Sequence, residues 1–248
     1  MNAQSHREAK NYIIVGLVFT LVQFCLTNAS ARFHELDQAD AAGLNSPVTH
    51  DIGFRGRPSA ALVEILQDTG VNGGVVERHT CGIEPQVELT VKQGTTVRQA
   101  LETLVAKNPA YEWGFQNNVV DLTPKTGLPA IFNARLRKYQ VHTMEAWRQE
   151  ANFDNVFRSP EIRKRIAELK LGGGMMVAHD GPVAVEINPT PPKLRPIDIN
   201  IHDISLEEAL NVVANTYGNT VWAYTEFECN GHTTFTIEGL HLNVVRHP

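Results

Sequence analysis

The chain has 248 residues, 42% of them hydrophobic, which is enough to fill one large core or two domains of about 100 residues each. Its 22 basic and 27 acidic side chains leave a net charge of −5. A slightly acidic chain without a long Lys/Arg block argues against a general nucleic-acid-binding surface.

Arg7 and Lys10 precede the apolar run Tyr12–Phe24, and Ala29-Ser30-Ala31 follows with small residues at the −3 and −1 positions. This is the three-part pattern of a secretory signal peptide, so residues 1–31 are expected to be removed after Ala31. The run falls short of the roughly 20 apolar residues of a comfortable membrane span, so no span is expected after cleavage. The expected location is the periplasm or the exterior. Residues 32–47 are polar and Ala-rich and read as a flexible leader.

A first module is expected over residues 48–126. Val48–Arg55 reads as a strand. Pro58-Ser59 then opens a helix, Ala60–Asp68, whose Ala61, Leu62, Ile65 and Leu66 share one face. Gly73–Arg78 and Gln86–Val91 read as strands joined by a loop that contains Cys81. Thr95 or Thr96 caps the next helix, which stops near Asn108-Pro109. Tyr111–Phe115 and Val119–Leu122 are strands on either side of a turn at Asn117-Asn118.

The second module, over residues 127–248, begins with the alternating strand Ile131–Val141. Helices are expected at Thr143–Asn152 and from Ser159-Pro160 onward, one of them an insertion. Gly172-Gly173-Gly174 reads as a helix terminator, because a dinucleotide-binding glycine loop leaves a strand and enters a helix. Strands at Met175–His179 and Val183–Ile187 flank the hairpin signal Asp180-Gly181, and Pro189–Pro192 is a stiff connector. The strand Ile197–Ile201, the helix Ser205–Thr216 and the strands Thr220–Phe227 and Thr233–Glu238 finish the copy. Ser205 and Glu208 have the spacing of a capping box.

The two modules repeat at an offset of 109 residues. Val97, Ala100, Leu101, Leu104 and Val105 form one buried helix face, and Leu206, Ala209, Leu210, Val213 and Ala214 repeat it. Trp113 matches Trp222 at the same offset. The expected class is therefore α+β: two tandem small β-α-β-β-α-β-type modules, each with helices packed on a short mixed sheet.

Cys81 and Cys229, one in each module, invite a disulfide in an exported protein; two unpaired thiols are the alternative. His79 and His232 stand near them, but the spacings are not those of common zinc motifs, and neither metal nor cofactor is expected. Glycine-framed serine, paired-histidine metalloprotease and phosphate-loop motifs are absent. The basic clusters Arg135–Lys138 and Arg163–Arg165 read as solvated faces of a strand and a helix. Tyr111, Trp113, Trp222 and Tyr224 read first as core aromatics. Where exposed, they are candidate partner contacts at a sheet edge that receives a strand.

Asp51-Ile-Gly-Phe-Arg55, the helix Ala60–Asp68 ending in Thr69-Gly70-Val71-Asn72, the strand Val87–Val91, the helix Val97–Val105 and the Trp-containing hairpin together resemble the secretin and TonB short N-terminal domain. The second half, with Ile197–Asp203 and Ser205-Leu-Glu-Glu-Ala-Leu210, looks like a more divergent copy. The resemblance implies an exported, non-enzymatic interaction module of the bacterial cell envelope, linked to secretin or TonB-dependent transport and signalling. It implies an envelope protein as partner and carries no catalytic residues over. The alternative is an envelope enzyme, hydrolase-like, with an intermodule site built from His79, His232 and nearby carboxylates.

Overall fold

The computed structural model of the chain describes residues 43–143, 149–173 and 197–242. The signal segment 1–31, most of the leader, the expected hairpin at Asp180-Gly181 and the Pro189–Pro192 connector lie outside the described residues. Among the described residues the fold is α+β. The first half runs β1 (Ile52–Gly56), α1 (Pro58–Leu66), β2 (Asn72–Thr80), β3 (Val87–Val91), α2 (Val97–Lys107), β4 (Tyr111–Gln116) and β5 (Val119–Pro124). A short 3-10 turn, Ala130–Asn133, leads into β6 (Arg135–Thr143), α3 (Gln149–Phe157), α4 (Pro160–Glu168) and β7 (Gly172–Gly173). The chain then continues through β8 (Ile197–Ser205), α5 (Leu206–Tyr217), β9 (Thr220–Cys229) and β10 (His232–His241).

The pairing scheme occurs twice. β1 pairs with β3 and β6 with β8, both antiparallel. β4-β5-β2 form one strand group, with β4 antiparallel and β2 parallel to β5; β9-β10-β7 repeat both order and sense. The two groups then join through a parallel β2–β9 ladder into one six-stranded sheet of order β4-β5-β2-β9-β10-β7. The repeated halves therefore share a sheet.

This junction explains why β2 and the start of β9 are buried at nearly every position. Side chains alternate along a strand, so a strand covered on both faces has no solvent side. Val75, Val221, Ala223, Val120 and Leu122 point into a first core with α1, α2 and the β1–β3 pair. Val76, Trp222, Tyr224, Phe235 and Ile237 point into a second core with α3, α5 and the β6–β8 pair. One sheet serves both.

Local signals account for most helix ends. Thr96 accepts from the Gln99 N–H while the Gln99 side chain returns to the Thr96 N–H, and Ser205 and Glu208 do the same for α5. Asn108 ends α2 by donating from Nδ2 to the Leu104 carbonyl at 2.6 Å. Helix α1 has no side-chain cap of its own. Glu77 reaches over from β2 instead and accepts from the Ser59 N–H at 2.8 Å, placing a carboxylate at the positive end of the helix.

Four details differ from the sequence expectation. Ile131 and Phe132 are adjacent and both buried, which a strand cannot arrange on one face; the chain makes a 3-10 turn there, and β6 starts only at Arg135. Thr143 ends β6, and helix α3 runs on to Phe157 because Phe153, Val156 and Phe157 all enter the second core. Helix α4 turns at Lys170 (φ 52°), with the Leu171 N–H returning to the Ile166 carbonyl, so Gly172 and Gly173 are released to pair as β7 with β10. The end of the leader is packed: Leu44 is buried in the first core, and the Val97 N–H donates to the Ser46 carbonyl.

Candidate partner-binding edge

Strand β4 is the outermost strand at one end of the six-stranded sheet, and no strand among the described residues pairs with its outer side. Asn117 and Asn118, both at positive φ (52° and 58°), form the two-residue turn to β5, the geometry that closes a tight hairpin. In such a hairpin Gln116 and Val119 exchange backbone hydrogen bonds, and bonded and non-bonded pairs alternate from there. Gly114–Asp121 and Glu112–Thr123 thus bond inward. The N–H and C=O groups of Trp113 and Phe115 face the open edge.

The side chains of β4 divide by face. Tyr111 is buried in the first core, while Trp113 and Phe115 pack against it and remain partly exposed. The Arg98 guanidinium sits 5.8 Å from the Trp113 ring centroid, a cation–π contact on that face. Glu112, Gly114 and Gln116 point the other way. They border a groove of about 360 Å³ whose far wall is the first turn of α5, with Glu207, Glu208 and Asn211.

The groove floor is a polar relay between the halves. The Trp222 Nε1–H donates to Asn211 Oδ1 at 2.6 Å, and Asn211 Nδ2 donates to Asp121 Oδ2 at 2.9 Å. The fully buried indole is thereby satisfied. Burial pushes the Asp121 carboxyl up to about 8, the neighbouring Glu207 adds to this, and the Asn211 hydrogen bond opposes it. Asp121 is therefore protonated at neutral pH. Burial, then Glu208, also raise Glu207. The Ser205 N–H and hydroxyl hold Glu208 below its ordinary range. A second seam beside the relay joins Asn72 Nδ2 to Asn215 Oδ1 at 2.8 Å and the Thr220 N–H to Asn72 Oδ1 at 3.1 Å.

Of the four aromatics singled out as partner contacts, only Trp113 has surface to offer. Trp222 and Tyr224 are 0% exposed, their rings inside a cluster with Phe132, Phe157 and Phe235; Tyr111 is buried in the other core. The reason lies in the β2–β9 junction. Trp222 and Trp113 occupy corresponding strands, but β9 is interior to the joined sheet and β4 is its edge.

Cys81 and Cys229 are joined in a disulfide with Cα atoms 4.6 Å apart, at the end of the β2–β9 ladder where the Cys81 N–H also donates to the Glu228 carbonyl. The two sulfurs are thus bonded to each other and do not present thiolates to a metal. His79 is buried, 3.1 Å from Glu77 Oε2, and meets Phe227 edge-on at 4.7 Å. Glu77, fully enclosed, also accepts from Arg57 Nε at 3.0 Å, and Arg57 continues to Thr225 Oγ1 at 3.1 Å. His232 is exposed at the start of β10, opposite Cys229. The titratable pair His79–Glu77 is closed off from solvent and works as a tie between α1 and the sheet. No sequence signal marked Glu77, Asp121 or Asn211, because each owes its role to a partner far away in the chain.

The two basic clusters do meet. Arg135 and Arg137 of β6 and Lys164 and Arg165 of α4 line one groove of about 550 Å³. Most of that charge is matched there: Arg135 pairs with Asp203, Lys164 and Arg165 with Glu168, and Arg165 also donates to the Ala130 carbonyl. No described helix is long and apolar enough to cross a membrane. Comparison with protein-family models, with curated proteins and with solved structures gave no match for this chain.

Proposed function

We propose that this chain is an exported, non-enzymatic interaction module of the bacterial cell envelope that binds a partner protein by adding a partner strand to the open edge of β4. The outer side of β4, which no described strand pairs, with Trp113 and Phe115 beside it, is the observation that carries the reading. A row of free backbone donors and acceptors next to partly exposed aromatics is what strand addition requires. The disulfide supports an oxidising compartment, in keeping with the signal-like N-terminus. The duplicated pairing scheme is in keeping with the resemblance to the secretin and TonB short N-terminal domain, and so with a role beside an envelope transport or signalling assembly.

The test is site-specific photo-crosslinking in living cells from Glu112 and Gln116, with Arg137 as the comparison site. The expected result is a discrete adduct from β4 positions that disappears in Phe115→Pro, while thermal melts of the purified variant show it folded. Proline there removes an outward N–H while sparing the β4–β5 ladder. Adducts from Arg137 alone, or adducts indifferent to the proline, would rule the reading out.

A further inference from the structure

We infer that the strand docking on β4 alternates basic with apolar residues, its basic side chains lying over the Glu112 face and its apolar ones beside Trp113 and Phe115. This rests on the strand-addition reading above and names the chemistry of the partner. An added strand continues the two-residue alternation of the sheet, so its side chains fall in turn on the two faces of β4 and pair with the neighbours there.

The two faces ask for different residues. On one, Glu112, Glu207 and Glu208 contribute carboxylates, and among the described residues no Lys or Arg lines the groove. Gly114 lies between Glu112 and Gln116 on this face, with none of the described residues within 4 Å of where a Cβ would stand. That gap leaves room for a long Lys or Arg side chain to cross β4 toward Glu207 with its stem against the strand. On the other face Trp113 and Phe115 are partly exposed, and Arg98 already occupies the cation position over Trp113. A second cation there meets like charge. A one-residue slip would move every basic residue from the carboxylates to Arg98, so charge selects the register as well as the partner.

The probes are three blocked hexapeptides, alternating Lys-Val, Gln-Val and Glu-Val, titrated by calorimetry and amide NMR against the purified chain and its variants. The expected result is that Lys-Val binds about tenfold more tightly than Gln-Val at low salt and that Glu-Val is weakest, with the differences shrinking at about 0.5 M salt. The shifted amides cluster at Trp113 and Phe115. Glu112→Gln combined with Glu207→Gln equalises the Lys-Val and Gln-Val peptides, while thermal melts show the variant folded. Peptides that bind equally well to the native chain, yet are all lost in a Phe115→Pro variant whose thermal melt shows it folded, would overturn the basic partner and leave the edge reading standing. Binding that Phe115→Pro does not touch, or no binding by any peptide, would overturn both.

Discussion

The Trp222 indole lies so close over Gly74 that a Cβ at that glycine would stand 2.3 Å from two of its ring atoms. The contact spans two strands from different halves of the chain, and it sets how closely β2 and β9 can face the second core. Because Trp222 is also tied to Asn211, the ring cannot step aside without losing a buried hydrogen bond. Gly74→Ala is expected to destabilise the fold by roughly 1–3 kcal/mol in urea titrations, the cost of overpacking a filled core. Gly114→Ala, at an open site, is the control and should stay within about 0.5 kcal/mol.

Asp121 makes stability depend on pH. Its carboxyl is raised to about 8 in the fold, whereas the unfolded chain releases the proton near the ordinary value of 3.8. Over that window the folded state holds a proton that the unfolded state has lost, so the group's penalty grows as pH rises from about 4 and levels off above about 8. The slope is at most about 1.4 kcal/mol per pH unit. Asp121→Asn should abolish this contribution and be relatively more stable at pH 8 than at pH 5. Parallel melts whose difference is the same at both pH values would contradict the assignment.

The Cys81–Cys229 bond closes a loop across a separation of 148 residues at the end of the ladder that unites the halves. In the chain-entropy model such a link stabilises by roughly 4–5 kcal/mol, with measured values often lower. Cys81→Ser with Cys229→Ser should lower the unfolding free energy from urea titrations by an amount in this range and abolish the response of the midpoint to reductant. A midpoint indifferent to both reductant and substitution would show that the bond does not form.

Glu77 is fully enclosed and serves the Ser59 N–H, Arg57 and His79 together. Glu77→Leu strands the helix N-terminus and leaves Arg57 without its partner carboxylate, which should cost about 3 kcal/mol. Hydrogen exchange should localise the loosening to the start of α1 and the end of β2. A uniform effect across the sheet would argue against the tie.

The short-range features were legible before the fold was known. Thr96 with Gln99, Ser205 with Glu208, and Asn117-Asn118 each act within four residues, so their chemistry is written in adjacent letters. The interior of the site was not legible. Asp121 looks like a solvated strand residue until Asn211, 90 positions away, closes over it. Arg135 and Arg165 read as separate solvated faces until β6 and α4 meet.

The sequence by itself determined the α+β class, the capping boxes at Thr96 and Ser205 and the Asn117-Asn118 turn, because periodicity and local hydrogen bonding depend on neighbours along the chain. Only the tertiary structure decided that β2 pairs with β9. That pairing made Trp222 a core residue and left the matching strand of Trp113 as the edge of the sheet among the described residues. The physical reason is that both strands carry the same alternating aromatic pattern, and what separates them is which one finds a neighbour on its outer side. Strand partnership across a hundred or more residues is chosen by the packing of two whole faces, and no local stretch of letters contains it.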